Sequence, residues 1–360
     1  MTLPVRLPRQ AGGEGRISLP GRLVKSVLVI AALAIAIVFP LIFINPTVTS
    51  IAVFTLIYMV SASAWNMFSG YSGYIALGHA AFFGSGAYAL ALAANHLGFT
   101  GGWGEFALVP LAGVVAGVLA VPFGLIALRA RRHTFVVITI AIFFIFQLLA
   151  INLSFTGGSS GLQIPTPLWP AATYNNPFYY VTLALLVATI AVSWLMRGSR
   201  FGLQLLAIRD DEERARGLGV RVGRVKLAAF VASAIPVGMA GALYAYFIGQ
   251  IFPQFAFDPL FDISIALMAF LGGLGTVWGP VLGALLLEAL QQYFTVTYST
   301  SQIYLVIYGV LFLAVILLLP RGVIPTIEQW VLRWRTREPG EEEGGGESVD
   351  VSPDVVKAAG

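Results

Sequence analysis

The chain reads as an all-α protein: a polytopic transmembrane helical bundle of about ten spans, with both termini cytoplasmic. Three observations predict this. Apolar runs of membrane-crossing length follow one another from residue 23 to residue 319. Hydrophobic residues make up 58% of the chain and charged residues only 11%, where a soluble domain carries about a quarter charged. All 21 lysines and arginines fall at or before residue 25, at or after residue 321, or in two stretches, at 129–132 and 197–226. A loop bias of this kind is the positive-inside pattern of helical membrane proteins, so the basic side is cytoplasmic. An even number of crossings brings both basic termini to that side.

A span needs about 20 apolar residues. The runs divide into 23–44, 49–68, 74–94, 104–128, 134–152, 177–196, 225–249, 260–275, 279–297 and 302–319. The first is too long for a signal peptide and lacks a small-residue cleavage site, so it reads as a retained anchor. Residues 70–94 carry Gly70, Gly73, Gly78, Gly84 and Gly86, and residues 272–280 read GGLGTVWGP. Membrane glycines permit close helix packing or a break, and the sequence leaves both readings open. Gly113/Gly117 and Gly279/Gly283 have the small-xxx-small spacing of packed helices. Glu288 lies near the middle of its span, with Gln291 and Gln292 one turn on. It is expected to be buried among protein, because a lipid-facing carboxylate there is costly.

Four regions follow. Residues 1–22 form a cytoplasmic N-terminal segment, and 23–322 a transmembrane domain containing a long cytoplasmic loop at 197–226. Residues 323–337 are a basic juxtamembrane segment. The acidic, glycine-rich tail at 338–360 has nothing to bury and is expected to be disordered.

Within the 197–226 loop, Asp210 with Glu213 has capping-box spacing. Acids lead (Asp210, Asp211, Glu212, Glu213) and bases follow (Arg214, Arg216), which complements a helix dipole. Asp210–Arg214 and Glu212–Arg216 are i,i+4 pairs, and Gly217 and Gly219 stop the helix. The expectation is a two-turn helix preceded by Phe201, Leu205, Leu206 and Ile208, either a solvated cap or a docking element. On the other side, residues 153–177 contain TGGSSGLQIPTPLWP and four prolines, longer than most connections.

Several chemistries are disfavoured. Without cysteine there is no disulfide scaffold and no thiol catalysis, and no His or acid cluster has metal-ligand spacing. No cofactor is implied. GYSG at 70–73 and GSSG at 158–161 invite a serine-protease reading. Ser72 and His79, however, would sit about 10 Å apart on a helix, too far for a nucleophile and its base. No lysine follows a glycine, so there is no P-loop, and any ATP use must come from another subunit. The net charge of +4 is accounted for by orienting loops and needs no nucleic acid.

The motifs resemble the LivM-type permease subunits of branched-chain amino acid ABC importers. WNMFSGYSGYIALGHAAFFGSGAYA at 65–89 looks like that family's N-x-x-x-G-x-x-G…LGHAAFFGIGAY block. TGGSSGL at 156–162 resembles its TGGPNGI-type loop. SRFGLQLLAIRDDEERARGLGV at 199–220 is similar to its cytoplasmic SRFGRALRAIREDE…LGI block. KLAAFVASA, GMAGALYA, GGLGTVWGPVLGA and PRG follow in the family's order. Departures are Leu203 where Arg is frequent, Ser160 where Asn or Asp is usual, and Pro236 inside a helix.

The resemblance implies an importer subunit that translocates branched-chain or related amino acids across a prokaryotic cytoplasmic membrane. Its partners would be a second, related permease subunit, two cytoplasmic ATP-binding subunits, an extracytoplasmic substrate-binding protein and the surrounding lipid. Coupling to the ATPase would map to Ala207, Ile208, Arg209, Asp210, Asp211, Glu212, Glu213 and Leu218. Candidate pathway residues are Asn66, Gly70, Gly73, Gly78, His79, Gly272, Gly273 and Glu288. Binding-protein docking is expected on the outer loops, at Thr156, Gly157, Gly158, Gly161 and Asp258, with residues 250–262 adding acidic charge. The alternative is a stand-alone channel or proton-coupled carrier for a small polar solute. It would need intramembrane ionisable groups, and Glu288, with His79, supplies the sequence's candidates.

Overall fold

In a computed structural model of the chain, residues 19–297, Gly309 and Leu313 are described. Apart from those last two residues, the expected span at 302–319 lies outside them, as do 1–18, 323–337 and 338–360. Twelve α-helices are present among the described residues. They are α1 (Leu19–Ile42), α2 (Pro46–Ser72), α3 (His79–His96), α4 (Leu108–Ala127), α5 (Arg132–Asn152), α6 (Asn175–Gly198), α7 (Arg200–Asp210), α8 (Glu212–Gly217), α9 (Val222–Ile248), α10 (Pro253–Ala256), α11 (Pro259–Gly272) and α12 (Gly279–Thr297). Two short strands, β1 (Leu162–Gln163) and β2 (Gln250–Ile251), pair antiparallel. Six helical stretches among the described residues are long and apolar enough to cross a membrane. The chain is thus an all-α, multi-pass bundle.

Local chemistry sets the helix ends. Asn45 accepts the Thr47 N–H as N-cap of α2, and Pro46 takes the first helical position, where its missing N–H costs nothing. At the far end, Gly73 adopts φ 72° and returns its N–H to Ser69 O, a left-handed termination that glycine tolerates best.

Both glycine-rich segments are breaks. α2 runs on to Ser72, residues 73–78 are non-helical, and α3 begins only at His79. The expected span at 74–94 therefore starts late. Likewise α11 ends at Gly272 and a loop at 273–278 leads to α12.

Between these breaks lies a closely packed core. α2 and α9 are the most enclosed of the six long helices and α5 the least. α9 is central, with α3 along one side and α4 along another. A Cβ on Gly86 would run into the backbone of Gly238, and one on Gly241 into the carbonyl of Phe83. Gly113 and Gly117 of α4 receive Met239 and Ile235 of α9 in the same way, and Gly283 of α12 lies against Met268 of α11. Membrane helices gain little from hydrophobic exclusion and rely on such close backbone approach.

Two ends can be told apart. At one, Leu162 pairs with Ile251 and Gln163 with Gln250, and Asn95 near the end of α3 reaches Gln163 O at 2.9 Å. The 153–177 and 250–251 segments meet there. From that ladder the chain turns inward. Phe257 stacks on Tyr88 and packs over Gly84 of α3, and Gln147 of α5 donates to Phe257 O at 2.8 Å. Asp262 then meets Ala80 at the start of α3. Ala80 and Asn95 are separated by about 22 Å of helix rise, so α11 starts deep in the bundle. The second end is the basic one, carrying Arg197, Arg209 and Lys226.

Gly86→Val should force α3 off α9 and cost about 3 kcal/mol, the upper end of core overpacking. Gly223→Ala, with open space around it, should be neutral or slightly stabilising. Thermal melting in detergent checks both; equal melting temperatures would contradict the packing account.

Candidate functional site

At the basic end the two breaks come together around one buried side chain. Asn66 Oδ1 accepts the Gly275 N–H at 2.8 Å, and Asn66 Nδ2 donates to Thr276 O at 2.8 Å. One turn further along α2, the Gly70 carbonyl accepts Arg209 Nη1 at 2.8 Å. Arg209 comes from the last turn of α7, and its stem lies against Gly73 while its guanidinium lies against Gly275. Arg197, at the end of α6, donates to Gly275 O at 2.6 Å. Of the sequence-predicted pathway residues, Asn66, Gly70, Gly73, Gly272 and Gly273 are thus gathered here.

Gly78 and His79 sit apart from this cluster, and Glu288 stands off along α12. Gly78 faces Thr139 of α5. His79 Nε2 is 3.0 Å from Ser233 Oγ, and the Ser233 hydroxyl donates to Phe230 O at 2.8 Å. With the Ser233 hydroxyl donating to Phe230 O, the Nε2–H donates to Ser233, and Nδ1 is buried with no hydrogen-bond partner. Ser72 Oγ instead accepts the Tyr74 N–H at 3.2 Å. Glu288 is buried among protein, as its spacing predicts. Gln292 donates to its Oε1 at 2.8 Å, while Glu288 Oε2 and Gln291 Oε1 have no partner.

The segment between α6 and α9 differs from the expected single helix. Ser199 caps α7 by accepting the Gly202 N–H, and the chain breaks at Asp211, which is extended (φ −155°, ψ 111°). Asp211 then caps α8, its Oδ1 accepting Glu213 N and Arg214 N, each at 3.0 Å. An N-cap needs non-helical backbone, and Asp210 is the last helical residue of α7, so the expected cap moves by one position. Arg214 pairs accordingly with Asp211 at 3.1 Å, not with Asp210. Arg216 pairs with Glu212 at 3.2 Å as predicted. Gly217 remains inside α8, and of the two expected stop glycines the positive φ falls at Gly219 (φ 87°).

Burial also redistributes the coupling residues. Ile208 and Leu205 are fully buried and Ala207 is half-buried, so Ile208 is an internal anchor, not a presented one. The apolar side chains this segment does present are Leu203 and Leu218, 62% and 84% exposed. Glu212 faces inward. It accepts the Tyr74 hydroxyl and bonds Lys226 Nζ at 3.2 and 3.3 Å, and Lys226 sits 4.2 Å over the Tyr74 ring. Partial burial opposes its charge, but the Tyr74 hydroxyl and the Lys226 ammonium outweigh it and hold Glu212 below the usual carboxylate range.

At the opposite end, the expected docking residues mostly build the loop. Thr156 is buried, donating to Ala150 O and Leu153 O. Gly157, Gly158 and Gly161 have φ of 76°, 57° and 68°. Asp258 caps α11 through Leu260 N. The surface there is presented by Trp103, Phe155, Leu168 and Phe255.

Residues 47–316 match the family described as "Branched-chain amino acid transport system / permease component". The chain belongs to that permease family. The permease is 30% identical over 340 residues to the high-affinity branched-chain amino acid transport system permease protein LivM of Salmonella typhimurium, covering 86% of this chain and 77% of that protein. It is 29% identical to LivM of Escherichia coli over the same shares. It is 26% identical over 293 residues to the permease protein LivH of Escherichia coli, covering 76% of this chain and 93% of LivH. No solved structure matches. The matched region runs from α2 through α12 and contains every site residue named above.

One residue of the permease lies elsewhere than the sequence reading put it. Asp262, expected among the outer acids of residues 250–262, belongs to no outer surface. It is buried, and both carboxylate oxygens face the Ala80 N–H at 3.1 and 3.2 Å, capping α3 from α11. The signal was present: an acid inside an apolar run, the argument that picked out Glu288.

Asp211→Ala should cost the α8 cap about 1 kcal/mol, with faster amide exchange at Glu213 and Arg214. Asp210→Ala should leave both amides unchanged. Equal effects from the two variants would refute the cap assignment.

Proposed function

We propose that this chain is the membrane-spanning permease subunit of an ABC importer, carrying branched-chain or related amino acids across the prokaryotic cytoplasmic membrane. In this reading it crosses ten times, residues 302–319 making the last span, and the basic end faces the cytoplasm with both termini. The four-region division of the chain at residues 22, 322 and 337 belongs to the same reading. Energy comes from two separate ATP-binding subunits. A second, LivH-like permease subunit completes the pathway, and an extracytoplasmic binding protein delivers substrate to the end formed by the 153–177 and 249–258 segments. Family membership and the similarity to LivM and LivH support the transported class. The chain itself has no P-loop.

The observation that carries the coupling assignment is the α7–α8 segment. Two short, individually capped helices stand at the basic end, with Leu203 and Leu218 exposed among charges. Exposed ion pairs contribute only about 0–1 kcal/mol each, so an apolar pair is what gives such a surface a binding core. Asn66, Gly70, Gly73, Gly272 and Gly273 then form the cytoplasmic gate region of the pathway, and His79 and Glu288 lie further in. A proton-coupled carrier would draw on Glu105, Asp262 and Glu288, the buried carboxylates of the described spans. Glu105, however, already accepts the Gly101 N–H and the Tyr246 hydroxyl, and Asp262 serves the α3 N-terminus, which leaves Glu288, with one oxygen unpartnered, as that reading's candidate among the described spans.

The test is the Leu203→Asp/Leu218→Asp double variant in cells carrying the whole importer. Copurification with the ATP-binding subunits should fall about tenfold or more, a loss of 1.4 kcal/mol, while the variant stays monodisperse. Unchanged copurification and uptake would sink the coupling assignment. Solute movement by the purified chain alone, without ATP, would restore the carrier reading.

A further inference from the structure

We infer that Tyr74, Arg209 and Arg197 are positioning residues that carry movement of α7–α8 into the two helix breaks, so that both breaks shift as one body. The inference rests on the coupling assignment above. Its basis is a set of directional bonds, each joining a different pair of elements.

The first link is Arg209. Its Nη1 donates to Gly70 O at 2.8 Å, and its side chain passes between Gly73 and Gly275. Those glycines have φ of 72° and 79°, and a Cβ on either would strike the arginine. The backbone is therefore shaped around this one side chain. A guanidinium bonded to a main-chain carbonyl is stronger than a neutral hydrogen bond and fixed in direction.

Glu212 makes the second link. In the first turn of α8, it holds the Tyr74 hydroxyl and Lys226 Nζ together. Lys226 is almost fully buried and packs over the same Tyr74 ring. Tyr74 lies in the 73–78 break, which leads straight into α3, while Lys226 lies in the first turn of α9. α8 is thus bonded to the starts of the two helices that pack most extensively on each other. Arg197 closes the set by holding Gly275 O at 2.6 Å from the end of α6.

Burying Lys226 and half-burying Arg209 and Glu212 is an expensive way to hold loops, since apolar packing of similar volume often stabilises as well or better. What the charges add is direction: a pull on α7–α8 lengthens bonds to both breaks, whereas apolar contacts would slide.

The test uses the complete importer, with its ATP-binding subunits and binding protein, in proteoliposomes. The readout is uptake of a leucine, isoleucine and valine mixture per ATP hydrolysed, which a merely structural role does not move. Tyr74→Phe deletes the hydroxyl and keeps the ring under Lys226; Arg209→Lys keeps the charge and loses the fork. Each should leave subunit stoichiometry and ATP hydrolysis near wild type and lower uptake per ATP about fivefold or more, the lower end of measured coupling energies. Glu212→Gln keeps an oxygen acceptor for the Tyr74 hydroxyl and loses only the charge facing Lys226 and Arg216, so it should lower the ratio less than Tyr74→Phe. Adding Arg209→Lys to Tyr74→Phe should lower the ratio further. If Tyr74→Phe reduces the yield of complex, Arg209→Lys alone carries the reading. An unchanged ratio in the intact variants overturns the inference while leaving the proposed function standing. Wild-type uptake that needs no ATP overturns the function first and this inference with it.

Discussion

The carboxamide of Asn66 is the interaction on which the basic end depends. Inside a bilayer a helix satisfies its own backbone, and any break exposes N–H and C=O groups that water cannot reach. This chain breaks two helices, and one face of α2 repairs both. Asn66 supplies an acceptor to Gly275 and a donor to Thr276. Beside it, Trp65 Nε1 donates to Ala76 O at 2.7 Å, and Ser69 Oγ accepts the Ala76 N–H at 3.2 Å. Trp65 and Ser69 thus serve the 73–78 break, while Asn66 and Gly70 meet the 273–278 break. Each pair is spaced i,i+4, which places its members on one stripe. Thr139 completes the repair from α5 by accepting the Leu77 N–H.

Once the breaks are held, the interior has polar ends where continuous helices would have none. The N-terminus of α3 lies well inside the bundle, and Asp262 answers its exposed N–H groups with both carboxyl oxygens. The same deep start lets α11 run from the bundle interior to the basic end, where the 273–278 break follows it. Glycines are needed at the pinch points for a plain steric reason. Arg209 occupies the space that side chains at Gly73 and Gly275 would claim.

Much of this was legible in the sequence. Apolar runs and the distribution of arginine placed the helices, and the small-xxx-small pairs in α4 and α12 pack as their spacing implies. The glycines of 70–94 did not decide between packing and a break, because both uses want the same missing side chain; Gly86 packs and Gly73 breaks. Asp210 and Asp211 are chemically equivalent candidates for one cap, and only the backbone turn at Asp211 separates them. Ile208 looked like a presented anchor because an apolar residue beside charge has two explanations, and its full burial on the inner face of α7 selects the other. Asp262 was read as an outer acid because nothing local says that residues 250–258 turn inward along α3.

Amide hydrogen exchange across residues 273–278, in lipid nanodiscs, tests the central claim most directly, comparing wild type with Asn66→Ala. If the Asn66 carboxamide holds that break, the Gly275 amide should be protected in the wild type and exchange about tenfold or more faster in the variant, the cost of leaving one buried donor unpaired. Equal exchange rates in the two proteins would contradict it.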